Sequence, residues 1–266
     1  MALYTQTSGT GPDLVLIHGW GLHGGIWDSM VPLLEANYRV TRIDLPGHGY
    51  SAWSGEQTLD RFVAAVLEVA PPQAGWAGWS LGGLVALRAA LLAPWRVHSL
   101  AMIASTPSFI RRPGWQSAML PALLDNFVNE LEQDYLRILN RFLALQVRGT
   151  AQSTQVLKDL RRKMLARAQP QPAALRAGLE ILRDTDLRAA SAALSMPALL
   201  LAGERDTLVP LQGIRDTTQL IPGARCQVVE AAGHAPFIAA PGAVAQALNG
   251  FFSEHSPGPA TGNDSN

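Results

Sequence analysis

Ser80, Asp206 and His234 are the residues whose types could together do covalent chemistry in this chain. A serine hydroxyl is a weak nucleophile until a base takes its proton. An imidazole, with an ordinary pKa of about 6.5, can take that proton and pass it to a leaving group near neutral pH. A carboxylate behind the imidazole fixes its tautomer and stabilises the cation. The chemistry implied is attack on an acyl carbonyl. Ser80 is the centre of Gly78-Trp79-Ser80-Leu81-Gly82, a spacing that sets a serine on a tight strand-to-helix turn. Such a turn strains the serine backbone, and side chains at the flanking glycines would clash. It also leaves the Leu81 N–H free to meet a developing oxyanion. Singly, each residue has an ordinary explanation: a serine in a glycine-rich turn, a turn aspartate, a strand-end histidine. Their joint occurrence at three strand ends is what gives the set weight.

Those strand ends follow from the surrounding pattern. Ala74-Gly75-Trp76-Ala77 reads as a buried strand before Ser80, and residues 84–91 as a helix after it, closed by Pro94. Residues 198–202 form an apolar run leading to Gly203-Glu204-Arg205-Asp206. Residues 226–230 read as the last strand, leading to Gly233 and His234. Leu14-Val15-Leu16-Ile17 suits a strand buried on both faces of a parallel sheet. It runs into His18-Gly19-Trp20-Gly21, a loop expected to supply a second oxyanion donor, the Trp20 N–H. Further strands are expected at 3–8 (an edge), 39–44 and 97–104. Further helices are expected at 26–36, 58–69 with Thr58 as N-cap, 214–220 and 241–252. His18, Asp44 and His48 read as groups bracing the loops beside this site. Alternation of short apolar strands with helices predicts an α/β fold with a mostly parallel, doubly wound sheet.

The alternation pauses from Pro107 to about Ala190, where the pattern is largely helical without strand-like runs. A block inserted there reads as a lid over the C-terminal strand ends, where ligands bind in open α/β sheets. The expected division is a core of 1–106 and 191–252, a helical lid of 107–190, and a disordered tail of 253–266 rich in Ser, Pro, Gly, Asn and Asp. Asp184 and Asp186 compete with Asp206 for the acid role but fall in the lid-like sequence.

With 266 residues, 48% of them hydrophobic, the chain can bury one large core. Lys plus Arg and Asp plus Glu both number 21, so no overall basicity points to nucleic acid. One cysteine, Cys226, excludes an internal disulfide framework; its place in a strand predicts a buried structural thiol in a reducing compartment. The N-terminus lacks the pattern of a signal peptide, and no apolar run is long enough to span a bilayer. A cytoplasmic protein, monomeric and without metal or nucleotide cofactor, is expected. Charge is uneven: residues 107–190 carry 13 Lys/Arg against 8 Asp/Glu, and the remainder 8 against 13. Arg137, Arg141 and Arg148 share a face if one helix spans them, as do Lys158, Arg161 and Arg162. This is either a solvated basic surface or a docking face for an acidic or phosphorylated carrier. Beside it, Ile138, Phe142 and Leu145 make an apolar stripe fit for core packing or for lining an acyl pocket. Trp20 and Trp79 flank the proposed oxyanion site.

The order serine, acid, histidine resembles that of the α/β-hydrolase superfamily, over residues 3–252. Within it, the chain resembles the pimeloyl-[acyl-carrier protein] methyl ester esterases of biotin biosynthesis. That resemblance rests on His18-Gly19-Trp20-Gly21-Leu22, on residues 78–86 and on Arg141-Phe142-Leu143-Ala144-Leu145-Gln146. Gly178-Leu179-Glu180-Ile181-Leu182, Ser195-Met196-Pro197 and His234-Ala235-Pro236-Phe237 extend it. The lid segment around Phe142 is the most specific part, because lids vary most in this fold. The resemblance implies Ser80 as nucleophile, His234 as base, Asp206 as orienting acid, and Trp20 and Leu81 as oxyanion donors. It implies substrate contacts at Trp20, Ser80, Leu81, Phe142, Leu143, Ala144, Leu145, Gln146 and His234. Carrier docking is implied at Arg137 and Arg141, with Lys158 keeping a charge although Thr154 replaces an expected arginine. The implied partner is an acyl carrier protein bearing a pimeloyl methyl ester. The polar tail after Phe252 is additional to that pattern, and a serine at the elbow argues against the related chemistry in which an aspartate attacks. Two other readings fit the same residues: a generic short-chain carboxylesterase or acyltransferase, and a non-catalytic binding protein on the same fold.

Overall fold

In the computed structural model, which describes residues 2–55, 57–131, 135–151 and 153–256, seven strands build one sheet. They are β1 (Thr5–Ser8), β2 (Asp13–Ile17), β3 (Arg39–Ile43), β4 (Ala74–Trp79), β5 (Val97–Ile103), β6 (Ala198–Gly203) and β7 (Arg225–Val229). Their order is β1-β3-β2-β4-β5-β6-β7. β1 pairs antiparallel with β3, and every other neighbouring pair is parallel. The helices are α1 (Val31–Leu34), α2 (Leu59–Val69), α3 (Leu81–Leu92), α4 (Pro121–Leu131), α5 (Tyr135–Gln146) and α6 (Ser153–Leu165). They continue with α7 (Pro172–Asp184), α8 (Arg188–Ser191), α9 (Leu211–Leu220), α10 (Pro236–Ala239) and α11 (Pro241–His255).

Register places the site. Ile17 pairs with Gly78, Trp79 with Ile103, Ile103 with Leu201, and Gly203 with Val229. The C-terminal ends of β2, β4, β6 and β7 therefore lie along one edge, and the loops that follow them share one side of the molecule. β4 is buried throughout, as its apolar run predicts. Its small residues make room for packing: a Cβ at Gly75 would lie 2.8 Å from the Phe252 ring of α11. Thr58 caps α2, its hydroxyl accepting from the Arg61 N–H.

The structure departs from the sequence pattern in several places. The helix expected over 26–36 is a 3₁₀ turn, Gly24–Trp27, followed by the single-turn α1 with Pro32 in its first turn. The His23 ring caps that 3₁₀ turn by accepting from the Gly25 N–H, which fixes a local turn where a long helix would have run. Residues 107–120 are not helical: bridges join Ile110 to Met119 and Arg112 to Trp115, and the Trp115 indole N–H donates to Ser108 O. Cys226 is in a strand as expected but is exposed, because β7 is the outermost strand and has a neighbour on one side alone. Partial burial still raises the thiol pKa. The last helix runs three residues past Phe252, to His255; the tail expected at 253–266 otherwise lies outside the described residues from 257 on. Among the described residues, no helix is long and apolar enough to cross a membrane.

Candidate active site

The turn between β4 and α3 holds Ser80 at φ 54° and ψ −119°, a region L-residues rarely enter. A Cβ at Gly78 would lie 2.2 Å from Gly82 O, and one at Gly82 2.4 Å from Ile17 O. Ser80 N–H donates to Ile103 O (2.9 Å), and the Ser105 hydroxyl donates to Ser80 O (2.8 Å). The strained peptide is thus held from β5 and from the residues just beyond it.

Three loops converge on the serine hydroxyl. His234, after β7, places Nε2 2.9 Å from Ser80 Oγ. Its Nδ1 lies 2.7 Å from Asp206 Oδ2, after β6. The other carboxylate oxygen, Oδ1, accepts from the N–H groups of Leu208 (2.8 Å) and Val209 (2.9 Å). Ionised Asp206 can only accept, so Nδ1 carries the hydrogen and Nε2 presents its lone pair to the serine hydroxyl. All three side chains are buried, which strengthens each electrostatic contact. The Trp79 indole N–H donates to His234 O at 2.7 Å; Trp79 thus anchors the histidine loop.

The loop after β2 runs alongside. A Cβ at Gly19 would stand 3.3 Å from Ser80 Cβ, so the backbone of this loop passes close to the serine side chain. Leu81 is the first residue of α3, where a backbone N–H has no acceptor within its own helix. Peptide donors that converge on the carbonyl oxygen under attack are what a tetrahedral oxyanion needs.

Histidines and one carboxylate brace this loop, as their positions suggested. Leu45 N–H donates to His18 Nε2 (2.9 Å) and Gly21 N–H to His48 Nε2 (3.3 Å). Each ring must therefore be unprotonated at Nε2, leaving Nδ1–H to donate to Gly19 O and Pro46 O respectively. Burial disfavours the cation in both. It holds His18 well below its ordinary pKa and brings His48 down to about 4. Asp44 accepts from Gly24 N–H (2.6 Å) and Tyr50 N–H (3.0 Å) and receives both oxygens' contacts from Arg167 (2.9 and 2.7 Å).

The helices between β5 and β6 close over the same side. The Trp20 ring meets Phe142 edge-on at 4.8 Å, and its indole N–H donates to Leu175 O of α7. Ile138, Phe142, Leu143 and Gln146 of α5 point inward and are buried, Leu145 is half-buried and Ala144 is exposed. Gln146 O accepts from His234 N–H at 2.9 Å, while its buried Oε1 has no hydrogen-bond partner among the described residues. Ion pairs join both Arg137 and Arg141 to Glu130. The α5 helix ends at Gln146, so Arg148 does not continue the face of Arg137 and Arg141. Lys158 and Arg161 are exposed on α6, and Arg162 pairs with Asp159. Part of the basic run turns inward instead: Lys163 donates to Gly25 O (3.2 Å), and Arg167 pairs with Asp44. Asp184 and Asp186 pair with Arg183 and Arg188 and take no part in the serine–histidine contact.

Comparison with known proteins agrees with this geometry. The family model described as the alpha/beta hydrolase fold matches residues 12–241. A pimeloyl-[acyl-carrier protein] methyl ester esterase of Aliivibrio salmonicida is 45% identical over 89% of this chain and 90% of its own. The protein of that name from Photobacterium profundum is 44% identical over 94% and 98%. One from Nitrosomonas europaea is 42% identical over 90% and 95%. Among solved structures, an esterase from Exiguobacterium antarcticum superposes with a TM-score of 0.85 at 21% identity, covering 94% of this chain and 95% of its own. A hydrolase from Pseudomonas aeruginosa gives 0.80 at 29%, covering 94% of each. With this sheet, this converging set of side chains and these relatives, the chain belongs to the alpha/beta hydrolase fold family and, within it, to the family of the pimeloyl-[acyl-carrier protein] methyl ester esterases.

Proposed function

We propose that this protein is a serine carboxylesterase that hydrolyses the methyl ester of pimeloyl-acyl-carrier protein, giving pimeloyl-acyl-carrier protein and methanol in biotin biosynthesis. The observation that carries the reading is the continuous chain from Ser80 Oγ through His234 to Asp206, at 2.9 and 2.7 Å, in a protein with relatives of that name at 42–45% identity over most of their length. Ser80 Oγ attacks the ester carbonyl while His234 Nε2 takes its proton. The N–H groups of Leu81 and Trp20 receive the oxyanion. Collapse of the tetrahedral species breaks the bond to the methoxy oxygen, which leaves as methanol with the proton from His234. Water, deprotonated by the same imidazole, then attacks the acyl-serine, and collapse returns the proton to Ser80.

Phe142, Leu143 and Leu145 supply apolar surface for the acyl chain beside Trp20, and Gln146 reaches the histidine from the same helix. Ala144, exposed on α5, belongs to the same segment. The helices over 107–190 serve as the lid. Arg137, Arg141 and Lys158 are the docking positions for the acidic carrier. The reading includes a cytoplasmic, monomeric enzyme; the partner implied by the relatives' name is compatible with the first.

Growth of a biotin auxotroph lacking this esterase tests the proposal. The wild-type gene should restore growth on medium without biotin, and Ser80→Ala should not. Hydrolysis of short free esters without any action on the carrier-borne methyl ester would favour a generic esterase. Absence of a covalent adduct with a fluorophosphonate would favour a non-catalytic protein.

A further inference from the structure

The loop that presents His234 runs from the end of β7 to Pro236 and contains Ala231 at φ 54°, a left-handed conformation that persists in a non-glycine residue when its surroundings over-determine it. The core supplies part of that constraint. Glu204 Oε2 accepts from Ala231 N–H (2.8 Å), Ala232 O accepts from Arg205 N–H (2.8 Å), and Trp79 holds His234 O. Further constraint comes from the end of α5 and from Thr150 and Ala151 after it, which belong to the insertion between β5 and β6. Ala151 N–H donates to Ala231 O (3.0 Å), Gly233 N–H to Thr150 Oγ1 (3.0 Å), and His234 N–H to Gln146 O (2.9 Å). The fit is tight: a Cβ at Gly233 would lie 2.5 Å from Thr150 Oγ1 and 2.9 Å from Gln146 O. Thr150 is itself buried.

We infer that Thr150 is a positioning residue for the general base: its hydroxyl oxygen fixes the Gly233 peptide and, through it, the His234 imidazole between Ser80 and Asp206. The inference rests on the reading of His234 as the base. The consequence is that the helical insertion completes the catalytic arrangement as well as covering it. Two of the three bonds come from main-chain groups of Gln146 and Ala151, which side-chain replacement leaves in place. The Thr150 bond is the one a substitution can remove. Without it a buried N–H loses its acceptor and the loop relaxes, and an ångström of displacement at a reacting group can cost up to about 100-fold in rate.

The test uses p-nitrophenyl acetate, so that carrier recognition plays no part. Thr150→Val keeps the shape and removes the acceptor; Thr150→Ser keeps the acceptor. Thr150→Val should lower kcat about ten-fold with KM changed less than about two-fold, and the rate of Ser80 phosphonylation should fall in parallel. Thr150→Ser should stay within about two-fold of wild type. A Thr150→Val enzyme with wild-type kcat overturns the inference, as does a Thr150→Ser enzyme as slow as Thr150→Val, or a loss confined to KM. If melting curves show that Thr150→Val does not fold, Thr150→Ala carries the test, and an unchanged kcat there overturns it. His234→Ala run in parallel separates the two failures. If it keeps full rate, the base assignment and this inference fall together; if it is inactive while the Thr150 variants match wild type, the positioning role alone falls.

Discussion

Asp206 shows how far single-residue geometry can be pressed. One carboxylate oxygen is held by two backbone N–H groups, and the other faces His234 Nδ1. In Asp206→Asn the amide oxygen must take the place that accepts from Leu208 and Val209, so the NH₂ group faces the imidazole. Nδ1 must then accept, which moves the ring hydrogen to Nε2, where it faces Ser80 Oγ and leaves no lone pair for the serine proton. The expected outcome is a fall in kcat of about 10⁴-fold with KM little changed, measured on a free methyl ester; a loss under about ten-fold would mean that Asp206 does not set the tautomer. The grouping of the three residues was legible in the sequence because each falls at or just past the end of a short strand, and parallel strands end on one edge. Thr150 and Arg167 were not legible as contact residues. Their partners are 83 and 123 positions away, and nothing in the local pattern around a threonine in a turn or an arginine in a basic run marks which peptide or carboxylate it will meet.

At the scale of elements, the loop after β2 is held by groups that lose their partners together. Asp44 is fully buried and Arg167 nearly so, at 1% and 10% side-chain exposure. The carboxylate also fixes the Gly24 and Tyr50 peptides. Arg167→Met removes the cation and leaves the carboxylate buried, an imbalance that costs about 3–5 kcal/mol in comparable sites. Urea unfolding should show a loss of that order, and Asp44→Asn with Arg167→Met should recover part of it; an additive double variant would mean that the two side chains do not act as a pair. His48, in the loop after β3, gives the same region a pH dependence. Burial, the largest influence, lowers its pKa to about 4, against the opposing pull of the Pro46 carbonyl and Asp44. An unfolded histidine takes up its proton near pH 6.5. The folded protein refuses it until about pH 4, so this contribution is complete above about pH 6.5 and is lost as pH falls towards 4. The loss is about 3 kcal/mol for the full interval. His48→Gln, which can still accept from the Gly21 N–H, should flatten the stability–pH curve between those limits; an unchanged slope would assign it to other groups, His18 among them. The elements themselves were legible where an apolar run alternated cleanly, as in β2, β4 and β6. They were not legible at 26–36 and 107–120, where a histidine cap and tryptophan- and arginine-mediated turns override local helix propensity.

For the whole molecule, zero net charge conceals an uneven distribution, and the fold decides how much of it faces outward. The excess of cations over residues 107–190 is visible in the sequence, but its use is not. Lys163 is drawn inward to the loop after β2 and Arg167 to Asp44 after β3, and Arg183 and Arg188 are paired with neighbouring aspartates. On the docking reading proposed above, an acidic carrier would meet the exposed Lys158 and Arg161, with Arg137 and Arg141 shared with Glu130. Exchanging Glu130 for the carrier's carboxylates costs little where the side chains are about half exposed, so these pairs do not block docking. Attraction of this kind acts through solvent and fades as the screening length shrinks from about 30 Å at 0.01 M salt to about 3 Å at 1 M. Acyl transfer at the buried serine has no such dependence. The kcat/KM for the carrier-borne methyl ester should therefore fall steeply across that range, mostly through KM, while that for a free methyl ester stays nearly level. Arg141→Glu with Lys158→Glu should reproduce the high-salt value at low salt, raising KM for the carrier-borne ester about ten-fold and leaving the free ester alone. Equal salt sensitivity for the two substrates would remove the docking surface from the mechanism and leave the basic face as solvated exterior.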